Sequence, residues 1–266
     1  MAHRIVFLKP VTSDFDLDRR FGGLERLWGS AASRIRTAHV VVVGLGGVGS
    51  WAAEALARSG VGQLTLIDLD HVSESNINRQ IQALSQTLGQ AKVLAMKDRI
   101  AQIHPECQVH TVENFIEPHN WLALLPPNTH AVVDACDQIK AKTAMAAWAR
   151  TQKLPFVCVG AAGGKVQAQQ VDVADLSQVT HDPLLAVMRN KLRKDHSAPT
   201  GGKSMGVNCV FSRESVKQAN TNGDATDVVQ GDGSLNCSGY GSMVTVTATF
   251  GMVAAGWVIE KLAKKS

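Results

Sequence analysis

From residue 40 onward, short apolar runs alternate with longer segments whose apolar positions recur at helical spacing. The runs near 40–43, 64–67, 107–112, 131–135 and 155–160 are brief and bounded by Gly, Asp or Pro, which predicts strands. The segments near 50–59, 90–103, 139–151, 183–194 and 250–264 predict helices. Strand–helix alternation of this kind implies an α/β fold, a Rossmann-like and mainly parallel sheet with helices on both faces. Lys165–Val173 (KVQAQQVDV) alternates polar and apolar, as a more exposed strand does. Ser197–Gly206 and Asn220–Gly241 are rich in Gly, Ser, Asn, Asp and Thr without apolar periodicity, and predict mobile loops.

One apolar run needs separate treatment. Ser242–Ile259 (SMVTVTATFGMVAAGWVI) is 18 uncharged residues followed by Lys261, Lys264 and Lys265, close to the lower limit for a membrane span. Its three threonines, its two glycines and the strand-like alternation of its first half predict instead a buried strand–helix element. Membrane association through 242–259 is the minor alternative. Composition agrees with a packed core: 266 residues, 45% apolar and 19% charged. The net charge of +4 permits an acidic partner without demanding one. Five cysteines (Cys107, Cys136, Cys158, Cys209, Cys237) form no C-x-x-C pair, so no structural zinc is expected, and their odd number suits a reducing compartment. Met1–Pro10 has too short an apolar stretch, broken by Lys9, to read as a signal peptide, so the expected location is cytoplasmic.

The chemistry concentrates in Val40–Gln80. A β-branched strand runs into Gly44-x-Gly46-Gly47-x-Gly49, then a small-residue helix, then a second apolar strand that ends on Asp68, nineteen residues past the last glycine. Such a βαβ unit brings backbone N–H groups and a helix N-terminus to a phosphate and places an acid for a ribose hydroxyl. The polar run Ser75–Gln80 just beyond is superfluous for hydride transfer from NAD, the rival reading, and suits the triphosphate of ATP. One domain is expected over 1–266, with a nucleotide-binding core at about 30–165 and a loop-rich substrate-binding part at about 166–266.

GLGGVG, LIDLDHVSESNINRQ, GQAKV and VVDACDQIKAK, in this order and spacing, resemble the adenylating (ThiF-type) enzymes related to ubiquitin-activating E1 proteins. Bacterial members of that group activate sulfur-carrier proteins. Arg20-Phe21-Gly22-Gly23, HDPLLAVMRNKLRKDH, GVNCVFS and LNCSGYGSMVTVTATFG extend the likeness along the chain toward one subgroup, the bacterial tRNA threonylcarbamoyladenosine dehydratases. That subgroup cyclises a modified adenosine beside the anticodon at the expense of ATP. The resemblance implies an ATP-dependent dehydration of N6-threonylcarbamoyladenosine at position 37 of tRNA, through adenylation of the threonyl carboxylate. The alternative is an ATP-dependent activator of a ubiquitin-like sulfur carrier.

Adenylation needs positioning and neutralisation of phosphate charge, with no protein nucleophile. On that reading the Gly44, Gly46, Gly47 and Gly49 turn holds the nucleotide and Asp68 takes the ribose, with Asp70 the weaker candidate. Asn76, Arg79 and Gln80 reach the phosphates, and Lys92 adds a point charge. Asp137 holds Mg²⁺, with Asp134 as the competing acid. The family's trans-acting arginine would be Arg20 or Arg26, which implies a homodimer. Cys237 sits in a Gly/Ser context and could accept sulfur or an acyl group, and Cys136 could lie near the nucleotide. A thiol partner, either a cysteine desulfurase or a sulfur-acceptor protein, would go with such a role. Small core or loop residues are the simpler reading of all five cysteines. The cationic cluster Arg189, Lys191, Arg193 and Lys194, with His196 and Lys203 beyond, would contact tRNA phosphates.

Overall fold

The computed structural model describes residues 15–152, 154–217 and 240–264. Two helices, α1 (Leu17–Trp28) and α2 (Ala31–Arg36), precede β1 (His39–Val43), α3 (Gly49–Arg58), β2 (Gln63–Ile67), α4 (Lys92–Ile103) and β3 (Gln108–Val112). The second half holds α5 (Trp121–Leu124), β4 (Ala131–Asp134), α6 (Ile139–Ala149), β5 (Phe156–Val159), β6 (Val171–Asp175), α7 (Pro183–Asp195), β7 (Asn208–Ser212) and α8 (Val244–Lys264).

The strands form one seven-stranded sheet in the order β3-β2-β1-β4-β5-β7-β6, parallel throughout except for β6 against β7. β1 is the hinge of this order. Val40 and Val42 point into a core built with α3, α4 and α8, while Val41 and Val43 point into a second core with α6 and α7. That split is the period-2 alternation of a strand buried on both faces, which is why Val40–Val43 contains no polar residue. Chain order reverses between β2-β1 and β1-β4, and the crevice at the carboxyl ends of β1 and β4 is where such sheets bind ligands.

The expectation of a strand in the first half of 242–259 is wrong. Residues from Val244 onward form a single helix, because Val246, Phe250, Ala254, Val258 and Leu262 recur at helical spacing and are all buried. Its threonines tolerate the helix by turning their hydroxyls onto its own carbonyls, Thr249 Oγ1 donating to Thr245 O at 2.7 Å. α8 is long and apolar enough to cross a membrane, yet 56% of its most apolar window is buried against the rest of the protein. It packs on α3 so closely that a Cβ at Gly251 would lie 2.5 Å from Val48 O. The exposed strand expected over 165–173 begins only at Val171.

Four elements carry no such expectation: α1, with Gly22 and Gly23 in its middle, short α2, the single turn α5, and β7, which follows loop-like sequence. Ser197–Gly206, expected to be mobile, is tied down. Asp175 accepts hydrogen bonds from Met205 N, Gly206 N and Ser204 Oγ at 2.8–2.9 Å, and Arg150 donates to His196 O and Met205 O. Side-chain hydrogen bonds, together with Ala198 and Met205 buried in the second core, do here what apolar periodicity does elsewhere. Asn220–Gly241, apart from Tyr240 and Gly241, lies outside the described residues.

Candidate active site

A cavity of about 730 Å³ opens at the carboxyl ends of β1, β2, β4 and β5. Its floor is the turn after β1. Gly44 takes φ +84°, and a Cβ on Gly49 would lie 1.7 Å from Gly44 O, so the chain can double back into α3 only with glycine at both positions. Gly46 has no heavy atom within 4 Å of where its Cβ would stand, which leaves the floor open to a ligand. Gly47 faces Arg79. Gly49 itself lies behind the turn and does not line the cavity.

The expected polar set converges here. Gly44, Gly46, Gly47, Asp68, Asp70, Asn76, Arg79, Gln80, Lys92 and Asp137 all line the one cavity, although up to 93 positions separate them in sequence. Several have a second duty. Asp68 Oδ2 accepts from Leu45 N at 2.5 Å and Oδ1 from Asp70 N at 2.8 Å, so this acid braces the glycine turn as well as facing the ligand space. Burial pushes its carboxyl up from the ordinary value, against the pull of Lys92 and the two amides. Lys92 Nζ sits 2.8 Å from Asp70 Oδ2, a buried ammonium aimed at the cavity mouth. Asn76 caps its own short turn by accepting from Ser73 N, and Arg79 donates to Ser75 O and Asn78 Oδ1 at 2.7 and 2.8 Å. Trp51 of α3 fixes Arg79 through its carbonyl.

Two acids compete after β4, and their surroundings separate them. Asp134 is fully buried, with Lys142 Nζ 2.8 Å from Oδ2. Asp137 is exposed in the loop lining the cavity and has no ion pair among the described residues. Cys136 lies between them with its Sγ 3.1 Å from Asp134 Oδ1. Burial and then the Asp134 charge push its thiol far up, so it stays protonated.

Other expected residues lie elsewhere. Arg20 donates to Ile103 O at 2.8 Å and stacks over Phe15, while Arg26 is exposed on α1 without an ion pair among the described residues; neither lines the cavity of its own chain. Of the cationic cluster, Arg189 spends its guanidinium on Leu176 O and Val179 O, and Arg193 reaches Pro199 O. Lys191 and Lys194 carry no ion pair among the described residues. Cys237 lies outside the described residues.

The cavity has walls that motif reading passed over: Asn114–Ile116 after β3, Gly160–Ala162 after β5, Leu184 on α7, and Gly241, Ser242 and Thr247 at the start of α8. The first two directly follow expected strands, and the rule that strand-end loops line the crevice points to them. Gly241, Ser242 and Thr247 fall in the LNCSGYGSMVTVTATFG motif that carries the resemblance, but no spacing rule assigns them to the crevice. Among the described residues no three His, Cys, Asp or Glu side chains gather as a metal site. A Mg²⁺ ion carried in on a triphosphate needs only one or two carboxylates, and Asp137 fits that part.

The model of the ThiF family matches residues 19–266. The chain is 42% identical over 254 residues to the tRNA threonylcarbamoyladenosine dehydratase of Escherichia coli K12, covering 93% of this chain and 95% of that protein. It is 41% identical over 252 residues to the dehydratase of Haemophilus influenzae, again over 93% and 95%. The crystal structure of the E. coli dehydratase in complex with ATP superposes with a TM-score of 0.83 at 40% identity, over 95% of this chain and 97% of that one. The molybdopterin-synthase adenylyltransferase of Salmonella typhimurium is 38% identical over only 123 residues, 46% of this chain.

Proposed function

The chain belongs to the ThiF family, and from that premise we propose that it is an ATP-dependent tRNA threonylcarbamoyladenosine dehydratase. One observation carries the reading: near full-length likeness to dehydratases, including one crystallised with ATP, in a chain whose polar set gathers in a single crevice. The substrate is N6-threonylcarbamoyladenosine at position 37 of tRNA. Its threonyl carboxylate attacks the α-phosphate of ATP, giving an acyl-adenylate and pyrophosphate. The neighbouring ureido nitrogen then attacks the acyl carbon, gives up its proton to solvent and expels AMP, which carries away one carboxylate oxygen. The ring closes with net loss of one water.

The chain's residues position and neutralise. Gly46 leaves room for backbone approach to the nucleotide, Asp68 receives the ribose, and Arg79 and Lys92 face the phosphates with Asn76 and Gln80 beside them. Asp137 holds Mg²⁺, which when bound shields the triphosphate charge. Two copies complete the site, with Arg26 entering the partner's cavity; its exposed guanidinium favours it over Arg20, which is bound to α4. The cytoplasm is the expected location. Among the described cysteines, burial pushes Cys107 up to about 12 and holds Cys136 and Cys158 far above the thiolate range, so a cysteine desulfurase or sulfur-acceptor partner finds support in none of these three.

The test is purified protein with ATP, Mg²⁺ and tRNA carrying the linear nucleoside. Mass analysis should show loss of one water from that nucleoside, dependent on ATP. If the nucleoside stays linear while the C-terminus of a sulfur-carrier protein is adenylated, the carrier-activating reading replaces this one.

A further inference from the structure

The least expected side chains in the molecule are the buried pair behind the cavity. Asp134 and Lys142 are each fully inaccessible to solvent, at the centre of the sheet where Val43, Asp134 and Cys158 stand in register. A buried ion pair is a poor stabiliser, since desolvation offsets the attraction and apolar replacements of like volume are often neutral. Its contacts point elsewhere. Asp134 Oδ1 accepts from Cys136 N at 3.2 Å and faces Cys136 Sγ, which sets the first turn of the loop that offers Asp137. Lys142 Nζ donates to Asp134 Oδ2 at 2.8 Å and to Val159 O at 3.0 Å, the last residue before the Gly160–Ala162 wall. One ammonium therefore joins the ends of β4 and β5 where both run into the cavity.

We propose that Lys142, acting through Asp134, is a positioning residue that fixes the Asp137 loop and the Gly160–Ala162 wall relative to each other. The pair never touches a reactant. It sets the distance between the metal-binding carboxylate and the wall beyond β5, a spacing that a merely apolar contact would leave free to drift. The inference rests on the reading of Asp137 as the metal ligand, so its test measures metal binding directly.

The probe is Mn²⁺ with ATP, followed by electron paramagnetic resonance, on the full chain. Wild type should bind Mn²⁺ in the presence of ATP, and Asp137→Ala should lose at least tenfold in affinity. If Asp137→Ala binds as tightly as wild type, the metal reading fails and the inference with it. The double variant Asp134→Leu with Lys142→Met removes both charges together and should fold, judged by circular dichroism. Its Mn²⁺ affinity in the presence of ATP should fall about tenfold, with ATP binding in the absence of metal changed less than threefold. Wild-type Mn²⁺ affinity in that folded variant would reduce the pair to a packing feature. Should the double variant fail to fold, Lys142→Arg decides: its charge remains but its donors are displaced, and unchanged Mn²⁺ affinity overturns the proposal.

Discussion

Asp134 and Asp137 lie three residues apart in the same motif, and sequence pattern alone leaves their roles open. Burial separates them, and the two aspartates should fail in different ways. Asp137→Ala removes an exposed loop carboxylate, so its stability should stay within about 0.5 kcal/mol of wild type. Adenylation by the same variant should be lost. Asp134→Ala leaves the Lys142 ammonium buried without its partner, which should cost about 3–5 kcal/mol of stability. Thermal denaturation beside an ATP-dependent turnover assay checks both; turnover retained in Asp137→Ala would move the metal role elsewhere. Asp68 gives the same lesson from the other side. Its spacing from the glycines is legible, but its second role, accepting Leu45 N, depends on a turn geometry that no spacing encodes.

At the scale of elements, legibility follows the source of stability. Of the parallel strands, β1, β4 and β5 are read from the apolar runs that burial on both faces demands, whereas β7, equally parallel and buried, is missed because it follows the loop-like 197–206. The start of α8 is misread because its threonines imitate strand alternation, while its true period appears only when five spaced apolar residues are taken together. Its tight seam yields a prediction. Gly251→Ala gains up to about 1 kcal/mol of helix propensity, but the new Cβ would press on Val48 O, an overpacking that costs about 1–3 kcal/mol. Net destabilisation and a raised KM for ATP are expected, because Val48 belongs to the glycine turn. A variant more stable than wild type would mean that α8 slides freely on α3.

The loop 197–206 is held by the Asp175 carboxylate as well as by the buried Ala198 and Met205, and the carboxylate's share should respond to pH. Burial favours protonation of Asp175, but the amides of Met205 and Ser177 and the hydroxyl of Ser204 outweigh it and hold the carboxyl at about 2, below the ordinary 3.8. A depressed native value means that the contribution is present above the unfolded value and is lost as pH falls from about 4 toward 2. The protection of the Met205 and Gly206 amides, exchange rate corrected for the intrinsic rate at each pH, should fall across that window, and Asp175→Asn should already be poorly protected at neutral pH. Equal exchange in the two proteins would show that the loop is held by other contacts.

For the whole molecule, the proposed function asks how one crevice would serve a nucleotide and a large polyanion together. α7 links the two. Leu184 at its start lines the cavity, and Lys194 near its end lies about 15 Å away by helix rise. A nucleoside in the cavity and a backbone phosphate at the far end of α7 are thus within reach of one bound loop. The four cations of this segment look alike in sequence and should behave differently. Arg189 is committed to Leu176 O and Val179 O, so its replacement by Ala should loosen the protein and leave the salt dependence of tRNA binding nearly unchanged. Lys191 and Lys194 have no ion pair among the described residues, and replacing both should weaken binding and lower the slope of log affinity against log salt by about 1.5–2, since each phosphate contact releases slightly less than one counterion. ATP binding should not move in either case. If instead Arg189→Ala lowers the slope and the lysine variant does not, the RNA lies against another face of the molecule, and α7 serves only to hold the wall of the crevice.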